Sequence, residues 1–197
     1  MSKDRNGLQS LAVALKIFLV MTLLTGILYP ALITGISQIT WSNQADGSLI
    51  TEKGRVMGSS LIGQPFDSAI YFSSRPSAIH YNPLPSGGSN LALTNRKLKS
   101  FVQERKESFI SANQLDTLIT IPSEMLFASA SGLDPHISPE AARLQVDRIV
   151  KARKWGAGQK QELLKAIDDL SGKPPFFCLG NKTVNVLLLN LTCDQIR

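Results

Sequence analysis

The sequence predicts an α+β extracytoplasmic domain anchored by one N-terminal transmembrane helix. Three observations carry that expectation. Between Lys16 and Asp46 no charged residue occurs, and Ile17 to Ile39 is dominated by Ile, Leu, Val, Phe and Met. Residues 42–93 are rich in Gly, Ser, Pro and Asn, a composition of turns and short strands rather than helix. Beyond them, helical periodicity alternates with short apolar runs.

The apolar run is the first element. A bilayer core takes about 20 such residues as a helix, and this stretch is long enough to span it with some tilt. A cleaved signal peptide has an apolar centre of only about 7–15 residues before a small-x-small site, and no convincing site follows here. A buried soluble helix rarely runs so far without a charge. Residues 12–39 are therefore read as an uncleaved anchor, 1–11 as a short cytoplasmic tail and 42–197 as one extracytoplasmic α+β domain. Lys3, Arg5 and Lys16 set that orientation, and long domains translocate largely regardless of their own charge. Tyr29 and Trp41 offer amphipathic rings for the far interface. The run holds no Asp, Glu, Arg or His, the residues that mark ion or proton pathways at membrane depth. One such helix is by itself neither pump nor channel. Thr22, Gly26 and Pro30 fall four apart, on a face where small residues let another helix approach, although Gly and Pro are also common in membrane helices.

In the outer part, Ser59–Phe66 and Ala69–Phe72 are expected to be short strands. Arg75-Pro76-Ser77 and Ser86-Gly87-Gly88-Ser89-Asn90 read as ordered loops. The second is Gly-rich, but no Lys-Ser/Thr pair follows, so it is a turn rather than a phosphate loop. Thr94 to Asn113 predicts an amphipathic helix capped by Thr94 or Asn95, with Leu98, Phe101, Val102, Phe109 and Ile110 inward. Leu118–Ile121 and Glu124–Ala128 are expected as strands leading into the turn Ser129–Pro139. Ser138 is an N-cap with Pro139 in the first helical position, opening a helix to about Lys154. Gln159–Leu170 is a second helix. Phe176–Leu179 and Val184–Leu191 are expected strands joined by a hairpin-like link at Gly180–Thr183.

Composition narrows the function. The net charge of +6 is spread along the chain, without the clustered Lys and Arg of a nucleic-acid footprint. Two cysteines, Cys178 and Cys193, and two distant histidines do not make a zinc site; whether the cysteines are bridged stays open. Ser131, Asp134 and His136 suggest a hydrolase, but a triad is defined by geometry, not by closeness in sequence, and no nucleophile-elbow pattern accompanies them. There is no Walker motif and no Asp-Lys-Thr-Gly phosphorylation motif. Energy for any transport would come from another chain.

Several stretches carry a resemblance: Thr25-Gly26 with Tyr29-Pro30, Gly58 to Gln64, Tyr71 to Ala78, Tyr81-Asn82-Pro83, Ser86 to Leu91, Ala130 to Pro139, and Val184 to Asn190. In that order they resemble KdpC, the family of C subunits of the Kdp potassium-transporting P-type ATPases. The resemblance implies a non-catalytic, single-span accessory subunit of the bacterial cytoplasmic (inner) membrane. Its implied partners are the channel-like KdpA, the ATP-hydrolysing KdpB, the small KdpF and membrane lipid, with no nucleic acid. ATP, Mg and K+ belong to the complex, and no catalytic or metal residue is implied here. Proteins of this kind are described as raising the ATP affinity of KdpB. An outer domain cannot touch a cytoplasmic nucleotide, so such an effect would travel through helices. The implied partner contacts are Thr22, Gly26, Tyr29, Pro30, Arg75, Asn90, Asp134 and His136. The chain departs from the family pattern at Ile167-Asp168-Asp169, where relatives tend to have His-Thr-Glu. It departs again at Asn181-Lys182-Thr183, where a Glu-Pro-Arg turn is common. The rival readings are a membrane-anchored extracytoplasmic hydrolase and a free-standing sensor or binding module.

Overall fold

A computed structural model describes residues 3–172 and 180–196. The chain forms two compact units, which meet in sequence at Leu49 and Ile50.

The first unit is helical from its start. Helix α1 (Lys3–Met21) passes into a π-helical segment (Thr22–Leu28) and then α2 (Tyr29–Thr40), followed by the single turn α3 (Ser42–Ala45). Proline explains the widened middle. Pro30 has no N–H to return to the Gly26 carbonyl, and its ring crowds that turn. The Tyr29 N–H pairs instead with the Leu24 carbonyl, five residues back. The Thr25 hydroxyl donates to the Met21 carbonyl at 2.7 Å. From Gly7 to Thr40 the helix is long and apolar enough to cross a membrane, and none of its most apolar stretch is buried. A Cβ placed on Gly26 would lie 3.9 Å from Thr22 Cγ2, so these two residues share a face.

The second unit is a mixed helix and sheet domain dominated by helices. Strands β1 (Leu49–Glu52) and β2 (Arg55–Ser59) form a hairpin. Its turn is Lys53-Gly54, both in the left-handed region, as a tight two-residue hairpin turn requires. The expected strands beyond Ser59 and at Ala69–Phe72 do not form. The backbone there is satisfied from elsewhere. The Phe72 N–H donates to Asn190 Oδ1 and the Phe72 carbonyl accepts from Asn190 Nδ2, at 2.7 and 3.0 Å. The Ser73 N–H donates to Gln145 Oε1 at 2.8 Å. These segments run as turns and irregular backbone with no strand neighbour.

Helix α4 (Arg96–Asn113) forms where expected, with the Asn95 side chain accepting from the Lys97 N–H. Neither Leu118–Ile121 nor Glu124–Ala128 is a strand; turns and one 3-10 turn (Ser123–Met125) replace them. Pro122 interrupts the run, and Ile121 and Met125 are buried singly in the core. Ser138 caps α5 (Pro139–Arg143), its hydroxyl accepting from the Ala141 N–H. The expected single helix to Lys154 is divided into α5 and α6 (Val146–Arg153). Between them the Gln145 side chain is fully buried and turned onto the loop at Ser73. Helix α7 (Ala157–Asp169) follows as expected.

The largest correction is at the end. Only Val184 and Asn185 form a strand; α8 (Val186–Gln195) replaces the rest of the expected one. Asn185 caps it by accepting from the Leu188 N–H at 3.1 Å. Val186, Leu187, Leu189, Asn190 and Cys193 are inward and Leu188 outward, a helical pattern hidden in an almost wholly apolar run. Strand β4 (Val184–Asn185) pairs antiparallel with β3 (His136–Ile137), in the register His136 to Asn185 and Ile137 to Val184. The expected strand Phe176–Leu179, with Cys178, lies outside the described residues. Cys193 is free and buried. The core joins Phe72, Ile137, Val146, Ile149, Leu163, Ile167, Val184 and Leu189, all nearly inaccessible to water.

Candidate functional site

Strand β3 is preceded by a tight polar turn that gathers three loops. The turn is built locally: the Ser131 hydroxyl accepts from the Leu133 N–H at 3.1 Å, and Asp134 Oδ1 accepts from the His136 N–H at 3.0 Å. Arg75 arrives from a loop 59 residues earlier and donates to Asp134 Oδ2 at 2.5 Å. The imidazole Nδ1 of His136 stands 3.5 Å from Asp134 Oδ1. Arg75, Asp134 and His136 keep 22, 30 and 42 % of their side chains accessible, so the cluster is a surface feature with a shielded base.

Burial alone would raise the Asp134 pKa. The His136 imidazole and N–H facing the carboxylate, then the Arg75 hydrogen bond and charge, outweigh it and hold the group at about 2. The Arg75 loop is itself fixed, because the Tyr81 hydroxyl donates to the Arg75 carbonyl at 2.7 Å. Burial pushes that tyrosine's pKa up.

Glycines let the loops meet. The Gly63 N–H donates to the Leu133 carbonyl at 2.7 Å, and a Cβ on Gly63 would lie 2.7 Å from the Asp134 carbonyl oxygen. Gly132 has φ +70°, and a Cβ there would meet Ile79 at 2.5 Å. The Gly87 N–H donates to the Ser131 carbonyl, and the Ser129 N–H to the Pro76 carbonyl. From the other side, Asn185 Nδ2 donates to the Ser60 carbonyl at 2.8 Å.

Of the eight expected contact residues, the structure brings Arg75, Asp134 and His136 together. Asn90 lies on the exposed Ser86–Asn90 loop with φ +52°. Thr22, Gly26, Tyr29 and Pro30 belong to the apolar helix of the first unit. The Asp134 carboxylate faces His136, while the Ser131 hydroxyl oxygen is engaged by the Leu133 backbone. Among the described residues no hydrogen bond joins Ser131 to His136, and no group of three or more potential metal ligands exists.

Sequence reading missed a second polar network that holds the 68–74 loop onto the helices. Arg148 donates to the Ala69 carbonyl, Asn113 and Gln145 at 2.7, 2.8 and 2.9 Å. Arg153 donates to the Ile70 carbonyl at 2.8 Å and to Asp194 at 2.7 Å, and its guanidinium lies over the Tyr71 and Trp155 rings. The available signal was a polar residue at an inward helical spacing. Gln145 falls three after Ala142, and Asn190 four after Val186.

An apolar helix long enough to span a membrane, followed by a domain that pins its loops to one surface, defines a mixed helix and sheet protein with one candidate transmembrane segment. Residues 11–195 match the KdpC family, described as the c chain of K+-transporting ATPase. The chain belongs to the KdpC family and is a subunit of a K+-transporting ATPase. It is 45 % identical over 188 residues, 94 % of each chain, to a potassium-transporting ATPase KdpC subunit of Photorhabdus laumondii. It is 47 % identical over 189 residues to that of Geotalea uraniireducens, covering 93 % of this chain and 96 % of the relative. The protein of Pectobacterium atrosepticum is 46 % identical over 185 residues, 92 % of this chain and 94 % of its own.

Proposed function

We propose that the chain is a non-catalytic accessory subunit that assembles and stabilises the channel-like KdpA and ATP-hydrolysing KdpB subunits, with KdpF alongside. Family membership over nearly the whole chain carries this reading. The exposed apolar helix supports it, because such a surface needs lipid or other helices around it. The N-terminus is cytoplasmic, on the positive charge of Lys3, Arg5 and Lys16, and the second unit lies outside the cytoplasm. Thr22, Gly26, Tyr29 and Pro30 face partner helices, while Arg75, Asn90, Asp134 and His136 face partner surface. ATP, Mg and K+ are bound by the complex, and any gain in the ATP affinity of KdpB is relayed through the membrane helices.

Topology and turnover test this together. A cysteine introduced as Lys165→Cys, exposed on α7, should react with a membrane-impermeant maleimide added to intact spheroplasts. Labelling only after lysis would contradict the orientation. The isolated chain should hydrolyse no ATP, and potassium-dependent hydrolysis by the complex should fall when this chain is omitted. Hydrolysis by the chain alone would refute the accessory role.

A further inference from the structure

One wall of a cleft of about 700 Å³ is formed by α4. Lys97, Phe101 and Arg105 follow at four-residue spacing, so they lie along one stripe of the helix. Both cations sit over the same ring: Lys97 Nζ is 5.5 Å and Arg105 Cζ 5.6 Å from the Phe101 centroid. Arg75, Arg143, Arg153 and Lys160 each have a carboxylate partner. Among the described residues, Lys97 and Arg105 form no ion pair, although Glu104 beside Arg105 favours its charge from a longer distance. Arg105 spends one N–H on the Leu126 carbonyl at 2.9 Å, which fixes the guanidinium in the cleft wall. Ser73, Ser74, Pro76, Ser77, His80 and Ser89 line the other side, and His80 holds left-handed backbone there. Residues with side chains keep that conformation only where the surroundings enforce it. Leu98, Phe109 and Met125 supply an apolar floor, and Ser77, Ser89 and Ser108 supply hydroxyls.

We infer that this cleft receives an acidic segment of a partner chain, with one carboxylate held between Lys97 and Arg105 and an adjacent apolar side chain on the Leu98–Phe109–Met125 floor. The inference rests on the subunit reading, which supplies the partner chains. Charge complementarity selects the occupant: two cations that form no ion pair flank an aromatic face, in a volume typical of ligand sites. Hydroxyls around the rim suit the N–H and carbonyl groups of an extended peptide. Glu104 lines the same wall, which disfavours a second acid immediately beside the first.

Photo-crosslinking in the intact, detergent-purified complex tests this. A benzoylphenylalanine replaces Phe101 in one preparation and Lys165 on α7 in another. Co-purification through a tag on this chain is scored before irradiation, so loss of the subunit reading is seen separately from loss of the cleft reading. Should the group at Phe101 impede assembly, it is placed at Ser108, in the same cleft. The expected result is a cleft-specific adduct to another subunit, mapped beside an Asp or Glu. Its yield should fall about fivefold with Lys97→Glu, the upper scale of an exposed ion pair, and should not change with Lys165→Glu. An adduct to lipid, an adduct within this chain, no adduct in an assembled complex, or a yield indifferent to Lys97→Glu would overturn the proposal.

Discussion

Asp134 is the residue on which the loop junction turns. Its carboxylate accepts from the His136 N–H and from Arg75, and its pKa is about 2 against an ordinary 3.8. A carboxyl depressed on folding contributes stability above its unfolded pKa, and that contribution is lost as pH falls from about 4 to 2. Asp134→Asn should therefore lower the melting temperature at pH 7, and the gap to the parent protein should close as melts are repeated towards pH 2. A gap that stays constant with pH would show that the charge is not what matters. Cys193 makes a contrasting case. Burial, with Asp194 beside it, pushes its thiol up to about 12 against the pull of Arg153. In a Cys178→Ser background, iodoacetamide at pH 8 should modify Cys193 about 100-fold more slowly in the folded protein than in denaturant. Equal rates would show that the α8 face is open.

At the scale of elements, the 68–74 loop is held where a strand would be held by a ladder. Asn190 is 2 % accessible and satisfies both backbone groups of Phe72. Asn190→Ala would leave a buried N–H and a buried carbonyl unpaired, at a cost of about 3 kcal/mol, measured by urea unfolding. A loss below about 1 kcal/mol would mean that water replaces the side chain. This arrangement also explains what the sequence could and could not tell. Helix α4 was legible because Leu98 and Phe109 recur at helical spacing behind an Asn95 cap, and the start of α5 because Ser138-Pro139 is a local signal. The strands expected near Phe66 and Phe72 were not real, because their backbone partners lie up to 118 residues away in sequence. Helix α8 was misread because a run apolar on nearly every side has no readable period. Arg75 and Asp134 were each picked out from their loops, yet their pairing depends on glycine-mediated loop contacts, and no local pattern announces it.

At the scale of the molecule, the two units place different demands on their surroundings. The second unit has its own core, built from α4 to α8 and the β3–β4 pair. The first unit exposes Ile17, Phe18, Leu19, Leu24, Ile27 and Leu32, a surface that water does not tolerate over the length of a membrane span. Its π-helical segment above Pro30 widens the helix where Thr22 and Gly26 share a face. The role proposed for this chain is to hold other subunits. The most direct measurement is purification in mild detergent through a tag on this chain, followed by mass spectrometry of everything retained. The account predicts a multispan channel-like subunit and an ATP-hydrolysing subunit in constant ratio with the tagged chain. Recovery of the chain alone, folded and free of both, would contradict it.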